Sequence, residues 1–143
     1  MKNCPTIVMD TNVLRATINR KNEEFFLYEL FADKKIEWVI STEILLEYAE
    51  KLTDFYSEST ANFILKILCT ANNVIFSEPH FRWNIIQNDV EDNKFSDLAI
   101  STNADCLITY DKDFNIFKSL DFPHLSVMTP QEFKSEFFSY LIT

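Results

Sequence analysis

Thr6-Ile7-Val8-Met9-Asp10-Thr11-Asn12 is the stretch whose reading decides the fold. Its first four residues form a short apolar run rich in β-branched side chains, and the run stops on an acid. That is the pattern of a strand that ends at a functional edge. Cys106-Leu107-Ile108-Thr109-Tyr110-Asp111 repeats it near the other end of the chain. Working outward, further strands are expected over residues 37–40, 73–76 and 126–128. Helices are expected between them. Residues 23–32 carry Phe26, Leu27, Leu30 and Phe31 on one stripe. Residues 42–52 follow a cap at Ser41 or Thr42. Residues 57–70 turn Phe63, Ile64, Ile67 and Leu68 inward. Short and longer helices are expected over 81–88 and 93–102, and Pro130 sits in the first turn of a last one. Strands separated by helices pair in parallel through right-handed crossovers. The expectation is a three-layer α/β/α sandwich with a central parallel five-stranded sheet, in a single domain over residues 1–143. In such sheets the chemistry lies beyond the carboxyl ends of the strands, here after Met9, Ile40, Phe76, Thr109 and Met128.

Composition narrows the function. The chain has 143 residues, 14 of them Phe and none Gly. Phosphate-cradling loops of the Walker and dinucleotide types need Gly where backbone meets phosphate, so both are excluded. Lys and Arg number 13 against 22 Asp and Glu, a net charge of −9. Such a surface repels phosphate chains and argues against diffuse nucleic-acid binding. The acids are either a solvated surface or, in part, converge on a cation that reverses the local field. Cys4, Cys69 and Cys106 show no C-x-x-C spacing, and the last two sit in apolar runs and read as reduced core residues. No signal peptide and no membrane-length apolar run is visible, so the expected location is cytoplasmic. His80 and His124 lie in separate loops and do not make a zinc site.

Asp10 and Asp111 both follow strands on the same edge, where two carboxylates repel unless a cation joins them. Each alone could equally be a turn residue or a helix N-cap. Glu47 lies on the flank of the stripe formed by Ile44, Leu45, Tyr48 and Leu52, from where it can reach the strand ends. Glu43 and Glu50 point to solvent. Asp92 opens the helix that buries Phe95, Leu98, Ala99 and Thr102. A capping role is open to Asp92, with Asp89 and Glu91 able to substitute. Asp97 points away from the buried stripe and is expected to face solvent.

Four blocks taken together make a recognisable string: Ile7-Val8-Met9-Asp10-Thr11-Asn12-Val13-Leu14, Ser41-Thr42-Glu43-Ile44-Leu45-Leu46-Glu47-Tyr48, Asp92-Asn93-Lys94-Phe95-Ser96-Asp97-Leu98-Ala99, and Ala104 through Phe114. The string resembles the PIN domain, in the branch of VapC-like toxin ribonucleases of toxin–antitoxin systems. The resemblance spans about residues 5–133. It implies a metal-dependent endoribonuclease using Mg²⁺ or Mn²⁺, with RNA as substrate, an antitoxin protein as partner and a homodimer as assembly. It implies that Asp10, Glu47, Asp92 and Asp111 hold the metal and carry catalysis, with Asn12 and Thr109 supporting them. Gly often stands in the family where this chain has Tyr110, which would narrow the groove, and where it has Asn103-Ala104. Asn tolerates a left-handed backbone, so Asn103 can replace that Gly. Arg15, Arg20 and Lys21 follow the first acid closely and are candidate RNA contacts; the bland alternative is a solvated basic loop.

Rival classes are weaker. A receiver domain needs a phospho-acceptor Asp ending its third strand and a Lys ending its fifth, and neither is present. A haloacid-dehalogenase-type phosphatase needs Asp two residues after Asp10, where Asn12 stands. A catalytically weak PIN-fold interaction module is the remaining alternative.

Overall fold

The computed structural model describes residues 4–141. The element order is β1 (Thr6–Met9), α1 (Thr11–Thr17), α2 (Phe25–Ala32), β2 (Glu37–Ile40), α3 (Thr42–Phe55), α4 (Glu58–Thr70), β3 (Val74–Phe76), α5 (Asn93–Ser101), β4 (Cys106–Ile108), β5 (Val127–Met128) and α6 (Pro130–Leu141). Short 3-10 segments span Val90–Asp92 and Lys112–Ser119. The five strands form one parallel sheet in the order β3-β2-β1-β4-β5, with helices packed over it as an α/β/α sandwich. Among the described residues no helix is long and apolar enough to cross a membrane.

Apart from Thr6 and Glu37 at their starts, the strands are apolar, as expected where helices cover a sheet on both faces. Ile7, Val8, Met9, Ile40, Leu107 and Ile108 are fully buried. The chain runs outward from β1 through β2 to β3 and then returns to place β4 on the other side of β1. The crevice between the carboxyl ends of β1 and β4 is therefore the topological switch point, where ligands of such sheets bind. Asp10 and Asp111 flank it.

Local chemistry sets the helix ends. Ser41 Oγ accepts from the Ile44 amide at 3.2 Å and opens α3; Ser57 Oγ accepts from the Thr60 amide at 3.0 Å and opens α4. Asn103 follows α5 at φ 51°, the left-handed conformation expected of it. Buried Tyr48 of α3 donates its hydroxyl to the Met9 carbonyl, fixing α3 against the end of β1.

Several expectations need correction. No helix forms over residues 81–88. That segment crosses α5 in irregular conformation, with Asn84 at φ 50°, and its amides are taken by side chains of α5. Ser101 Oγ accepts from His80 N at 3.0 Å, Asp97 Oδ1 from Trp83 N at 3.0 Å and Asn93 Oδ1 from Ile86 N at 2.9 Å. Asp97 is accordingly not solvent-facing but 1% exposed. Burial pushes its carboxyl up, partly countered by the Trp83 and Asn84 amides. Phe63 points outward, because the inward stripe of α4 runs through Ala61, Ile64 and Leu68. Cys69 is exposed, whereas Cys106 is buried.

Candidate active site

The first acid is built by the end of β1. Asp10 stands at the N-cap position of α1 but makes no side-chain capping hydrogen bond. Its Oδ2 instead accepts from Thr109 Oγ1 at 2.7 Å, and the same hydroxyl oxygen accepts from the Asp111 amide at 2.9 Å. One threonine thus ties the Asp10 carboxylate after β1 to the Asp111 backbone after β4. Asp10 is 6% exposed. Burial raises its pKa, hydrogen bonding from Thr109 and the Asn12 amide lowers it, and the charges of Asp111 and Glu47 raise it again.

The second pair comes from the 3-10 segments. Asp111 Oδ1 accepts from the Asp113 amide at 2.9 Å, which turns the chain after β4 and brings Asp113 back to the same place. Asp92 is positioned by its neighbour. Buried Asn93 clamps residue 86 by both backbone groups and also donates to the Val90 carbonyl at 3.2 Å. The cap of the short turn before α5 is supplied by Asp89, whose Oδ1 accepts from the Glu91 amide at 3.1 Å. Asp92 makes no capping bond, and its Oδ2 is buried without a hydrogen-bond partner. Burial first, then the adjacent Asp111 and the charges of Asp89 and Asp10, push its pKa up to about 8.

Asp92, Asp111 and Asp113 each offer a carboxylate oxygen, all within 4.8 Å of one another. This is the spacing of a shared cation, and the donor set is hard oxygen, as Mg²⁺ and Mn²⁺ require. Asp92 Oδ2 is buried without a hydrogen-bond partner, and burial first, then neighbouring carboxylates, raise Asp10 and Asp92, which a bound cation would counter. The residues fit a divalent cation.

Glu47 faces the same cleft but in another state. Its Oε2 accepts from the Thr11 hydroxyl, and its Oε1 lies 2.6 Å from Lys94 Nζ. The Lys94 side chain is 5% exposed and also contacts Glu91 Oε2 at 3.0 Å. Burial acts to lower the Lys94 pKa, but the two carboxylates outweigh it and hold the ammonium above its usual value.

A cleft of about 550 Å³ opens over this arrangement, lined among others by Asp10, Asn12, Glu47, Lys51, Asp92 and Lys94. Of the four expected acids, Asp10, Glu47 and Asp92 line this cleft; Asp111 does not line it and joins the group through its proximity to Asp92. Asn12 lines the cleft. Arg15, Arg20 and Lys21 do not: Arg15 stacks its guanidinium over Phe55, 4.3 Å from the ring centroid, and the other two are exposed. Tyr110 does not narrow this cleft either, since its hydroxyl donates to Glu24 Oε2 at 2.7 Å away from the lining. Two residues escaped the sequence reading. The Asp-x-Asp spacing of Asp111 and Asp113 is a signal for the latter. Lys94 had none, because an isolated lysine reads as solvated.

A family model for the PIN domain matches residues 6–113. With the acids at the switch point of a parallel sheet, the chain belongs to the PIN domain family. It is 32% identical to the uncharacterized protein MJ1680 of Methanocaldococcus jannaschii over 148 residues, 94% of this chain and 93% of that protein. Its fold is similar to that of VapBC2 from Rickettsia felis, solved bound to a promoter DNA fragment. That match has a TM-score of 0.59 at 18% identity and covers 85% of this chain and 96% of the other. It is also similar to Mycobacterium tuberculosis VapC20, a sarcin-ricin loop cleaving toxin, with a TM-score of 0.58 at 15% identity over 77% and 93% of the two chains.

Proposed function

We propose that this PIN domain is a metal-dependent endoribonuclease that hydrolyses RNA phosphodiester bonds. The observation that carries the reading is the convergence of Asp92, Asp111 and Asp113 within 4.8 Å of one another, beside Asp10 at the switch point. Asp92, Asp111 and Asp113 would hold Mg²⁺ or Mn²⁺, with Asp10 closing the set from β1. A divalent cation bound there would offset charge on the scissile phosphate and lower the pKa of an attacking water.

The remaining chemistry belongs to the chain. Thr109 fixes the Asp10 carboxylate and the Asp111 backbone, and the Asp113 amide fixes the Asp111 carboxylate, so both acids are held in place before substrate arrives. Lys94 is clamped by two carboxylates and keeps its protons, so it does not serve as a base. His80 lies in an exposed stretch whose amide is tied to Ser101, at the far end of α5 from Asp92. Lys51 and Lys94 are the basic residues lining the cleft, and they offset its negative field locally for a phosphate chain. Exposed Arg20 and Lys21 would extend that contact beyond the cleft.

The likeness of fold to VapC proteins supports a finer reading: a cytoplasmic toxin, restrained by an antitoxin protein and assembled as a homodimer. The test is incubation of purified protein with mixed RNA in Mn²⁺ and in EDTA. Cleavage in Mn²⁺ alone is expected. Binding of RNA or protein without cleavage would instead favour an interaction module. Growth arrest on expression, relieved by the product of a neighbouring reading frame, would test the toxin assignment.

A further inference from the structure

Lys94 is in an unusual place. It lies in the first turn of α5, where the helix dipole disfavours a cation, and lysine is almost never fully buried unless it is paired. Its side chain is nevertheless 5% exposed, and it lines the same cleft as Asp10 and Asp92. Its ammonium holds Glu47 at 2.6 Å and Glu91 at 3.0 Å. Both oxygens of Glu47 are thereby engaged, one by Lys94 and one by Thr11. The cation-ready trio of Asp92, Asp111 and Asp113 does not include Glu47.

We propose that the Lys94 ammonium occupies the position of a second cation, so that the site takes one divalent ion and Glu47 is a partner of lysine rather than a metal ligand. This rests on the cation reading above and deepens it. A second divalent ion in this cleft would need carboxylates beyond the Asp92–Asp111–Asp113 trio and Asp10. Of the further acids lining it, Glu47 and Glu91 are bridged by Lys94, Glu43 and Glu50 contact Arg82 and Lys51, and Asp89 caps the turn before α5. A covalently attached ammonium supplies positive charge there permanently, at any metal concentration. It leaves the trio, with Asp10, to bind a single ion.

The experiment is calorimetric titration of the full chain with Mn²⁺, with free Mn²⁺ followed by electron paramagnetic resonance. One ion per wild-type chain and two per Lys94→Met chain are expected. Two ions in wild type, or one in both proteins, overturn the proposal. No binding to wild type removes the cation reading itself, and the proposal with it. If Lys94→Met does not fold, Glu47→Gln decides. Its Mn²⁺ affinity should stay within about threefold of wild type, the effect of one lost charge at a hydrated site. Asp92→Asn should lose at least about tenfold. A tenfold or greater loss in folded Glu47→Gln makes Glu47 a ligand and overturns the assignment.

Discussion

Replacing Asn93 by Ala should cost more stability than its single polar side chain suggests. Asn93 is 3% exposed and sits between α5 and the irregular segment that crosses it. Its Oδ1 accepts from Ile86 N at 2.9 Å, and its Nδ2 donates to Ile86 O at 2.8 Å and Val90 O at 3.2 Å. Ile86 is itself 3% exposed, so water cannot readily take over. Alanine leaves a buried N–H and a buried C=O without partners, each costing about 1–3 kcal/mol. The sum is roughly 2–6 kcal/mol, a large fraction of the stability of a domain this size. At roughly 2–4 °C per kcal/mol, the melting temperature should fall by about 4–24 °C. Urea denaturation followed by circular dichroism measures the free energy directly. Because Asn93 neighbours Asp92, Mn²⁺ affinity should fall in the same variant. A loss below about 0.5 kcal/mol, the range of ordinary surface substitutions, would refute the view that this amide holds the crossing segment.

Other consequences follow from the same geometry. Asp92 is pushed up to about 8 from an unfolded value near 3.8. Folding therefore binds a proton between those values, and this group's contribution to metal-free stability is lost as pH rises from about 4 to about 8. Thermal melts across that range should show the loss, and added Mn²⁺ should stabilise more at the alkaline end. Asp10→Asn should raise the metal-free melting temperature by removing a buried, repelled carboxylate, while reducing the shift produced by Mn²⁺; equal Mn²⁺ shifts in both proteins would count against Asp10. Asp97→Ala should destabilise by about 1–3 kcal/mol, because the Trp83 amide loses its acceptor. Increased proteolysis within residues 80–88 would report the loosened segment.

Much of this was legible from residue order. The strands declared themselves as β-branched runs, and the acids at their ends pointed to the carboxyl edge before any strand order was known. Strand order itself was not legible, since it follows from crossover packing rather than from local pattern. Misread residues share a cause. A helical wheel assumes one buried face, but the seven residues from Asn93 to Ala99 are all buried, because residues 80–88 cover the side of α5 opposite the sheet. Asp97 and Lys94 were hidden by that second cover. The segment 81–88 forms no helix because amides it would need for one bond to Asp97 and Asn93 instead. Asp113 became visible only once the chain turned at Asp111.

The most direct test of the central claim is single-turnover RNA cleavage in Mn²⁺ by wild type and by Asp111→Asn. Asp111 joins the Asp10 side of the site to Asp92 and Asp113. Loss of such a positioned group should slow cleavage at least about 100-fold while the variant stays folded. Cleavage by folded Asp111→Asn at the wild-type rate, or undiminished wild-type cleavage in EDTA, would contradict it.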